Sequence, residues 1–326
     1  MMPVLLKVKN LKVHFETYEE YIYAVNGISY TLNSGETIGI VGESGCGKTV
    51  SIMSLLRLID MPPGKIVSGT AIFEGKDLLS IPQKELQKIR GNKIGVIFQD
   101  PMTAFNQVMT IGDQLIEGLI EHKGMSKKKA LEEAKRLLDI VGIANPRERL
   151  RDYPFQFSGG MRQRVMIAIG LICQPKIIIA DEPTTALDVT IQAQIIDLIK
   201  QIREEFGTSI IWVTHDLGVV AGIADKVMVI YGGYIIEEAP VDMLYNNPKH
   251  PYTRGLLASL PKIEGNDRKR LDYISGQPPY LNKLPKGCPF EPRCSYRIEK
   301  CAQENPMLTI RNIEGNHRVA CWLGLE

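Results

Sequence analysis

The sequence predicts an α/β protein built on a parallel β-sheet, followed by a smaller segment of different composition. Short apolar runs alternate with helical stretches up to about residue 245, a rhythm typical of parallel strands joined by helices. The 326 residues suffice for two domains, or for one large domain with an appendage. Beyond residue 245 prolines become frequent and four of the six cysteines appear. We therefore expect one domain over residues 1–245 and an extension over 246–326.

Composition and charge restrict the classes of protein to which the chain can belong. Hydrophobic residues make up 44% and charged residues 23%, as in ordinary globular proteins. The 39 Lys and Arg residues nearly balance the 37 Asp and Glu residues, so bulk charge gives no support to nucleic-acid binding. The longest apolar run, residues 165–173, is about half as long as a membrane-spanning helix. The first residues lack the features of a secretory signal, so we expect neither an integral membrane protein nor a secreted one.

The predicted strands and helices follow one another in a regular order. Alternation over residues 5–15 predicts a first strand, and a charged helical pattern over 108–149 predicts a solvent-exposed helical region. Continuous apolar runs predict buried strands at 37–41, 94–98, 176–180, 209–213 and 227–231. Helical patterns cover residues 50–59, 161–173 and 192–206.

A glycine-rich loop follows the predicted strand at 37–41. It fits the phosphate-binding pattern G-x-x-x-x-G-K-[ST] with Gly42, Glu43, Ser44, Gly45, Cys46, Gly47, Lys48 and Thr49, and Val50 continues into a predicted helix. Glycines let successive N–H groups face phosphate oxygens, and the helix N-terminus adds positive potential. Lys48 would contact the β- and γ-phosphates, and the Thr49 hydroxyl would be a Mg²⁺ ligand. We call residues 42–49 the phosphate loop and expect it to bind a nucleotide.

Two carboxylates follow the predicted strand at 176–180. Asp181 and Glu182 come at its carboxyl end, the edge at which open α/β sheets bind ligands. We expect Asp181 to hold Mg²⁺ through water, and Glu182 to orient or deprotonate an attacking water. Two acids after a strand are often only a solvated turn, so this interpretation depends on the phosphate loop.

A third motif narrows the choice among nucleotide hydrolases. Residues 157–163 read Phe-Ser-Gly-Gly-Met-Arg-Gln and resemble the signature L-S-G-G-Q of the ATP-binding subunits of ABC transporters. Phe157 and Met161 depart from that pattern, whereas its centre is intact: Ser158, Gly159 and Gly160. A hydroxyl and glycine N–H groups at the start of a helix suit a second phosphate-binding position.

The resemblance extends over residues 5–240 and implies an ABC cassette. This fold has a RecA-like P-loop NTPase core, an antiparallel β subdomain and a helical subdomain inserted at about residues 100–160. In that family the signature caps ATP held by another subunit, so hydrolysis requires a dimer.

The resemblance also assigns roles to residues that carry no chemistry-specific pattern alone. Gln99 matches the glutamine that contacts Mg²⁺ and senses the membrane partner, Asp188 matches a loop that crosses the dimer interface, and His215 matches the switch histidine that contacts the γ-phosphate. An aromatic side chain is expected to stack on adenine. Phe15 is the first choice and Tyr23 the second, with Tyr18, Tyr21 and Tyr23 expected in a loop after the first strand.

The extension resembles the one found in the dipeptide/oligopeptide permease branch of the ABC family. The similarity lies in residues 250–253, 256–261 and 287–294. Its cysteines have the spacing C-x5-C-x6-C-x19-C and could ligate Zn²⁺ or a [4Fe–4S] cluster equally well by count. His317 could replace a thiolate in a zinc site, and unrelated buried thiols are a further alternative. The resemblance favours a [4Fe–4S] cluster ligated by Cys288, Cys294, Cys301 and Cys321.

The function that the resemblance implies is ATP binding and hydrolysis coupled to peptide import. The expected partners are two transmembrane permease subunits, a paralogous ATP-binding subunit and, indirectly, an extracytoplasmic peptide-binding protein, with the chain at the cytoplasmic face of the membrane. Three alternatives remain: an importer for another cargo such as nickel, an ABC-type ATPase not coupled to transport, and a metal-sensing regulator centred on the cysteines.

Overall fold

The computed structural model describes residues 3–185, 188–260, 273–312 and 316–323. They form two compact units, each assembled from separate stretches of the chain. The first unit is drawn from residues 1–3, 33–36 and 81–213, and the second from 4–32, 37–80 and 214–326.

Between β6 and β9 of the described chain, every two successive strands are separated by at least one helix, as in an α/β fold, which confirms the predicted class. The strands are β1 Val4–Glu16, β2 Tyr21–Asn33, β3 Thr37–Val41, β4 Gly64–Phe73, β5 Lys76–Asp77, β6 Ile94–Ile97, β7 Ile177–Asp181, β8 Ser209–Thr214, β9 Lys226–Tyr231, β10 Tyr234–Pro240, β11 Thr309–Asn312 and β12 His317–Val319. The helices are α1 Lys48–Met53, α2 Gln83–Gln87, α3 Pro101–Ala104, α4 Ile111–Lys123, α5 Lys127–Ile140, α6 Pro146–Arg149, α7 Gly159–Leu171, α8 Val189–Phe206, α9 Leu217–Ile223, α10 Val241–Asn246, α11 Pro251–Ala258 and α12 Glu299–Gln303.

The first unit contains a parallel sheet in the order β8-β7-β6. The strand β7 is wholly buried, because its run of isoleucines is apolar on both faces. Helix α7 approaches β6 very closely: a Cβ atom at Gly95 would lie 2.1 Å from the carbonyl oxygen of Gly170. Glycine at position 95 is therefore what lets this helix lie against the sheet.

The charged helical region of the sequence becomes α4 and α5 in the same unit. The Thr110 hydroxyl caps α4 by accepting a hydrogen bond from the Asp113 N–H at 3.1 Å. Helix α4 ends at Lys123, and the next residue, Gly124, has a left-handed φ of 62°. The lysines of α5 face solvent, while its buried side chains recur at helical spacing: Ala130, Ala134, Leu137 and Leu138.

The second unit contains an antiparallel sheet in the order β2-β1-β4-β5. Its other strands lie in the order β11-β12-β10-β9-β3, with β3 and β9 parallel and the remaining neighbours antiparallel. Val41 of β3 pairs with Val229 of β9. The C-terminal extension thus adds two strands to this sheet, which the frequent prolines of the extension did not predict.

One local prediction is wrong. Tyr21 and Tyr23 lie in strand β2 rather than in a loop. The segment that begins at Tyr21 is rich in aromatic and β-branched residues, which favour strands, and β2 lies beside β1 in the antiparallel sheet.

Among the described residues, no helix is both long enough and apolar enough to cross a bilayer.

A buried polar cluster anchors the start of the extension in the second unit. The carboxylate of Glu237 is fully buried and accepts hydrogen bonds from the N–H groups of Lys249 and His250 at 2.6 and 3.0 Å. Nε2 of His317 lies 2.7 Å from the same carboxylate. His250 caps α11, because its Nδ1 accepts a hydrogen bond from the Tyr252 N–H at 3.1 Å. The cluster therefore ties β10, β12 and α11 together.

The burial of His250 predicts that the protein loses stability in acid. Burial lowers the pKa of His250 to about 4, although Glu237 acts in the opposite direction. His250 also borders a cavity that is lined by Cys288, Glu291 and Cys294. Between about pH 6.5 and pH 4, His250 is protonated in the unfolded state but stays neutral in the folded state. The free energy of unfolding should fall by about 3 kcal/mol across this window as the pH is lowered.

Urea unfolding at several pH values tests this prediction with His250→Asn, which keeps an acceptor at the helix cap but cannot titrate. The variant should show a flatter pH dependence between pH 4 and 6.5. Burial raises the pKa of Glu237, but its hydrogen bonds outweigh this effect and lower the pKa, so Glu237 keeps part of the slope at the acid end of this window in the variant. His122→Asn, in α4, is the control. Equal slopes for His250→Asn and the unmodified protein would contradict the prediction.

Candidate functional site

The phosphate loop connects β3 to α1 in the second unit, as its sequence predicts. Gly47 precedes α1 with a left-handed φ of 100°. A Cβ atom at this position would lie 2.1 Å from the carbonyl oxygen of Ala24. Because any other side chain would meet this backbone, glycine is needed for the loop to close onto the helix.

Lys48 lies inside the phosphate loop. Its side chain is 4% exposed, and its Nζ donates hydrogen bonds to the carbonyl oxygens of Gly42 and Glu43 at 2.8 and 3.1 Å. Ser44 and Thr49 are exposed, whereas Cys46 is buried, and burial raises the pKa of its thiol to about 11. The loop thus presents a fixed positive charge and hydroxyl groups, and Cys46 stays a neutral packing residue.

The two predicted carboxylates lie at the carboxyl end of β7 in the first unit: Asp181 is its last residue, and Glu182 follows it. Asp181 and Glu182 are 2% and 8% exposed. Glu182 has an unusual left-handed φ of 44°, a strained conformation of the kind found at functional sites. Its Oε2 accepts hydrogen bonds from Gln99 Nε2 at 3.1 Å and from the Thr185 hydroxyl at 3.0 Å. The structure therefore brings Gln99 and Glu182 together and holds the carboxylate in a defined orientation.

The other residues named by the resemblance stand at helix starts and strand ends. Ser158 caps α7 by accepting a hydrogen bond from the Met161 N–H at 3.4 Å, and Ser158 and Gly159 are exposed. Asp188 caps α8 through the Ile191 N–H at 2.9 Å. His215 follows β8 and is exposed. The neighbours of Asp188 in its motif, residues 186 and 187, lie outside the described residues.

The two aromatic candidates for adenine stacking lie on adjacent strands. Phe15 is half-buried near the end of β1 and pairs with Gly64 of β4. Tyr23 is exposed on β2, and its ring contacts His14 edge-on with 4.7 Å between ring centroids. Both remain predictions for this role.

The prediction of an iron–sulfur cluster is wrong. Cys288, Cys294, Cys301 and Cys321 are all described and all free thiols. Across the described ranges, no group of three or more His, Cys, Asp or Glu side chains could hold a metal ion. The same finding excludes the zinc alternative, and His317 is instead engaged with Glu237.

The physical reason lies in the surroundings of these thiols. They border a cavity whose other walls include apolar side chains, among them Pro251, Phe290, Trp322 and Leu323. Burial raises the pKa of Cys288 to about 12 and also raises the pKa of Cys294. Metal binding requires the thiolate, whereas burial without a compensating charge favours the neutral thiol. These cysteines therefore act as small apolar packing groups.

The structure also reveals contacts to the phosphate loop that the sequence did not indicate. The Tyr252 hydroxyl accepts a hydrogen bond from the Glu43 N–H at 3.0 Å, and Arg293 forms an ion pair with the Glu43 carboxylate at 2.7 Å. A cavity of about 300 Å³ lies between loop residues 43–46 and residues 277–281 of the extension. No local pattern signals such contacts, because the partners are more than two hundred residues apart.

The residues that were predicted to bind Mg²⁺ fit that ion chemically. Thr49 in the second unit offers a hydroxyl, and Gln99 and Asp181 in the first unit offer amide and carboxylate oxygens. Mg²⁺ prefers such hard oxygen ligands.

Comparison with known proteins gives two family matches on this chain. The profile of the ABC transporter family matches residues 25–185. The profile of the oligopeptide/dipeptide transporter C-terminal region matches residues 236–301. The second match overlaps the part of the extension that contains α11 and three of the four clustered cysteines.

Two relatives match this chain over nearly the whole length of both sequences. The chain is 51% identical to the oligopeptide transport ATP-binding protein OppD of Haemophilus influenzae, over 100% of this chain and 99% of that protein. It is 51% identical to the dipeptide transport ATP-binding protein DppD of Bacillus subtilis, over 99% and 95% of the two chains. The dimeric post-hydrolysis structure of the ATP-binding cassette MJ0796 with ADP and Pi has a TM-score of 0.65 at 29% identity, covering 72% of this chain and 98% of that one. The predicted cassette fold is thereby confirmed.

Proposed function

The chain belongs to the family of ATP-binding subunits of oligopeptide and dipeptide ABC transporters, and on that premise we propose that it hydrolyses ATP to energise peptide import. The phosphate loop, with its buried Lys48, carries the proposal. The anchored Glu182 supports hydrolysis beyond simple binding. Relatives that match essentially the whole chain bear peptide-transport names, which favours peptides over other cargo.

We assign the roles within the reaction as follows. Lys48 stabilises charge on the β- and γ-phosphates, and Glu182 accepts the proton of the attacking water. Mg²⁺, when bound, neutralises phosphate charge, and Thr49, Gln99 and Asp181 would hold it. His215 contacts the γ-phosphate, and Phe15 or Tyr23 stacks on adenine. Ser158, Gly159, Gly160 and Asp188 serve the site of a second cassette.

The assembly that we propose follows from the same premise. Two such cassettes, this chain and a paralogous one, work at the cytoplasmic face of the membrane with two permease subunits. A peptide-binding protein delivers cargo on the other side. Residues 1–245 form the cassette, with a helical subdomain at about 100–160, and residues 246–326 form the extension.

Reconstitution of the transporter in vesicles tests the proposal. ATP hydrolysis and uptake of labelled dipeptide, oligopeptide and Ni²⁺ are measured for the natural chain and for Lys48→Ala. We expect peptide-stimulated ATP turnover, and at least about ten-fold weaker ATP binding in Lys48→Ala because a buried charge on the phosphates is lost. Lys200→Ala, at an exposed position of α8, is the control.

The outcomes separate the proposal from its alternatives. Peptide uptake that depends on Lys48 supports it. Uptake of Ni²⁺ without peptide uptake would assign a different cargo, and ATP hydrolysis without any uptake would assign an uncoupled ATPase. Unchanged nucleotide binding in Lys48→Ala would overturn the ATP site itself.

A further inference from the structure

The guanidinium group of Arg293, in the C-terminal extension, is held in a site that uses all of its hydrogen-bonding capacity. Its side chain is 5% exposed. Nη1 and Nη2 donate to the two carboxylate oxygens of Glu43 at 2.7 and 3.0 Å. The remaining donors reach the Tyr231 hydroxyl at 3.2 Å and the carbonyl oxygens of Ile274 and Ser275 at 3.3 and 3.0 Å. Five acceptors thus match the five N–H donors of arginine.

Aromatic packing closes this site. The guanidinium carbon lies 5.8 Å from the ring centroid of Tyr231 and 6.0 Å from that of Phe290, within the range of cation–π attraction. The Tyr252 ring packs against both of these rings. Burial lowers the pKa of Arg293, but its hydrogen bonds to Glu43 and Tyr231 outweigh this effect and keep the pKa above its usual value. The cation is therefore permanent.

The other end of the ion pair is part of the phosphate loop. Glu43 is the second residue of that loop, and its carbonyl oxygen accepts a hydrogen bond from Lys48 at 3.1 Å. Its N–H donates to the Tyr252 hydroxyl. The extension therefore holds Glu43 through both its backbone and its side chain, beside the lysine that the proposed function places on the phosphates.

We propose that Arg293 is a positioning residue that neutralises Glu43 and so lets the phosphate loop accept the polyanionic phosphates of ATP. This inference rests on the proposed ATP site. A carboxylate without its counter-charge would repel ATP phosphates, because like charges in a partly buried site are weakly screened. The bidentate geometry also fixes the conformation of the loop residue that bonds Lys48. The extension thereby contributes to nucleotide affinity.

The test measures binding of a fluorescent ATP analogue, and KM and kcat for ATP, in the full-length chain assembled with its partners. Arg293→Gln should weaken nucleotide binding about ten-fold and raise KM with little change in kcat. The double variant Glu43→Gln/Arg293→Gln should recover affinity to within about three-fold, because it removes the carboxylate together with its partner. Arg293→Lys should recover less than the double variant, since lysine cannot form the bidentate pair.

Matched controls make each outcome decisive. Arg297→Gln removes a more exposed arginine of the same segment, which pairs with Glu291 at 3.4 Å, and should leave binding unchanged. Thermal unfolding of every variant reports loss of fold. Unchanged affinity in Arg293→Gln, or a double variant as weak as the single one, would overturn the inference. If Lys48→Ala abolishes binding in the same assay while Arg293→Gln does not, the ATP site stands and only the role of Arg293 fails.

Discussion

Glu182→Gln is expected to lower kcat for ATP hydrolysis by about 10²–10⁴-fold while ATP binding is retained. Glutamine keeps the size of the side chain and an oxygen that can accept the hydrogen bonds of Gln99 and Thr185. It cannot accept the proton of the attacking water. The variant therefore separates the chemical step from binding and from the structure of the site.

Single-turnover hydrolysis and equilibrium binding of ATP, measured on the assembled transporter, check this expectation. Glu205→Gln, at an exposed position in α8, is the matched control and should behave as the natural chain does. A kcat for Glu182→Gln within about three-fold of the control would show that Glu182 is not the general base. A parallel loss of binding would instead show that it supports the nucleotide site structurally.

Gly95→Ala should destabilise the first unit by about 3 kcal/mol. Its added Cβ would lie 2.1 Å from the carbonyl oxygen of Gly170 and 2.9 Å from Cδ1 of Ile178. The side chain of Ile178 can rotate, but the backbone of α7 can give way only if the helix moves from the sheet. Urea unfolding measures the loss through the midpoint concentration.

Gly222→Ala, in α9, is the control for the glycine-to-alanine exchange. A Cβ at Gly222 would meet no atom within 4 Å. In a helix this exchange should stabilise the protein by up to about 1 kcal/mol. Opposite signs for the two variants would attribute the effect to the contact between α7 and β6. Equal urea midpoints for Gly95→Ala and the natural chain would show that α7 adjusts to the added methyl group without loss of packing.

Much of the fold follows from local sequence. The strand predicted at 37–41 coincides with β3, because a continuous apolar run bounded by turns has few alternatives. The helix predicted at 50–59 is shorter, since α1 ends at Met53 and Arg57 adopts a left-handed φ of 50°. Strands β2, β4, β5 and β10 and the two strands of the extension were not predicted. Whether such segments become strands depends on the neighbours with which they pair, and some of these lie far away, as Arg318 of β12 does from Glu238 of β10.

Part of the functional site was likewise predictable from local sequence, and part of it was not. The phosphate loop and the pair Asp181–Glu182 were identified because each motif is contiguous and its chemistry is local. Arg293 was missed because its partner Glu43 lies 250 residues away. The cluster prediction failed for a related reason, since cysteine spacing says nothing about burial, which raises the pKa of Cys288 and of Cys294.

The parallel pairing of β3 with β9 also has a consequence for synthesis on the ribosome. Val41 emerges roughly 190 residues before Val229, with which it pairs. At about 5–20 residues per second, the nascent β3 waits about 10–40 s for this neighbour. During that time a strand that is wholly buried in the finished protein lacks the partner that will cover one of its edges. The nascent chain should therefore be a client of ribosome-associated chaperones, and slower translation would lengthen this exposure.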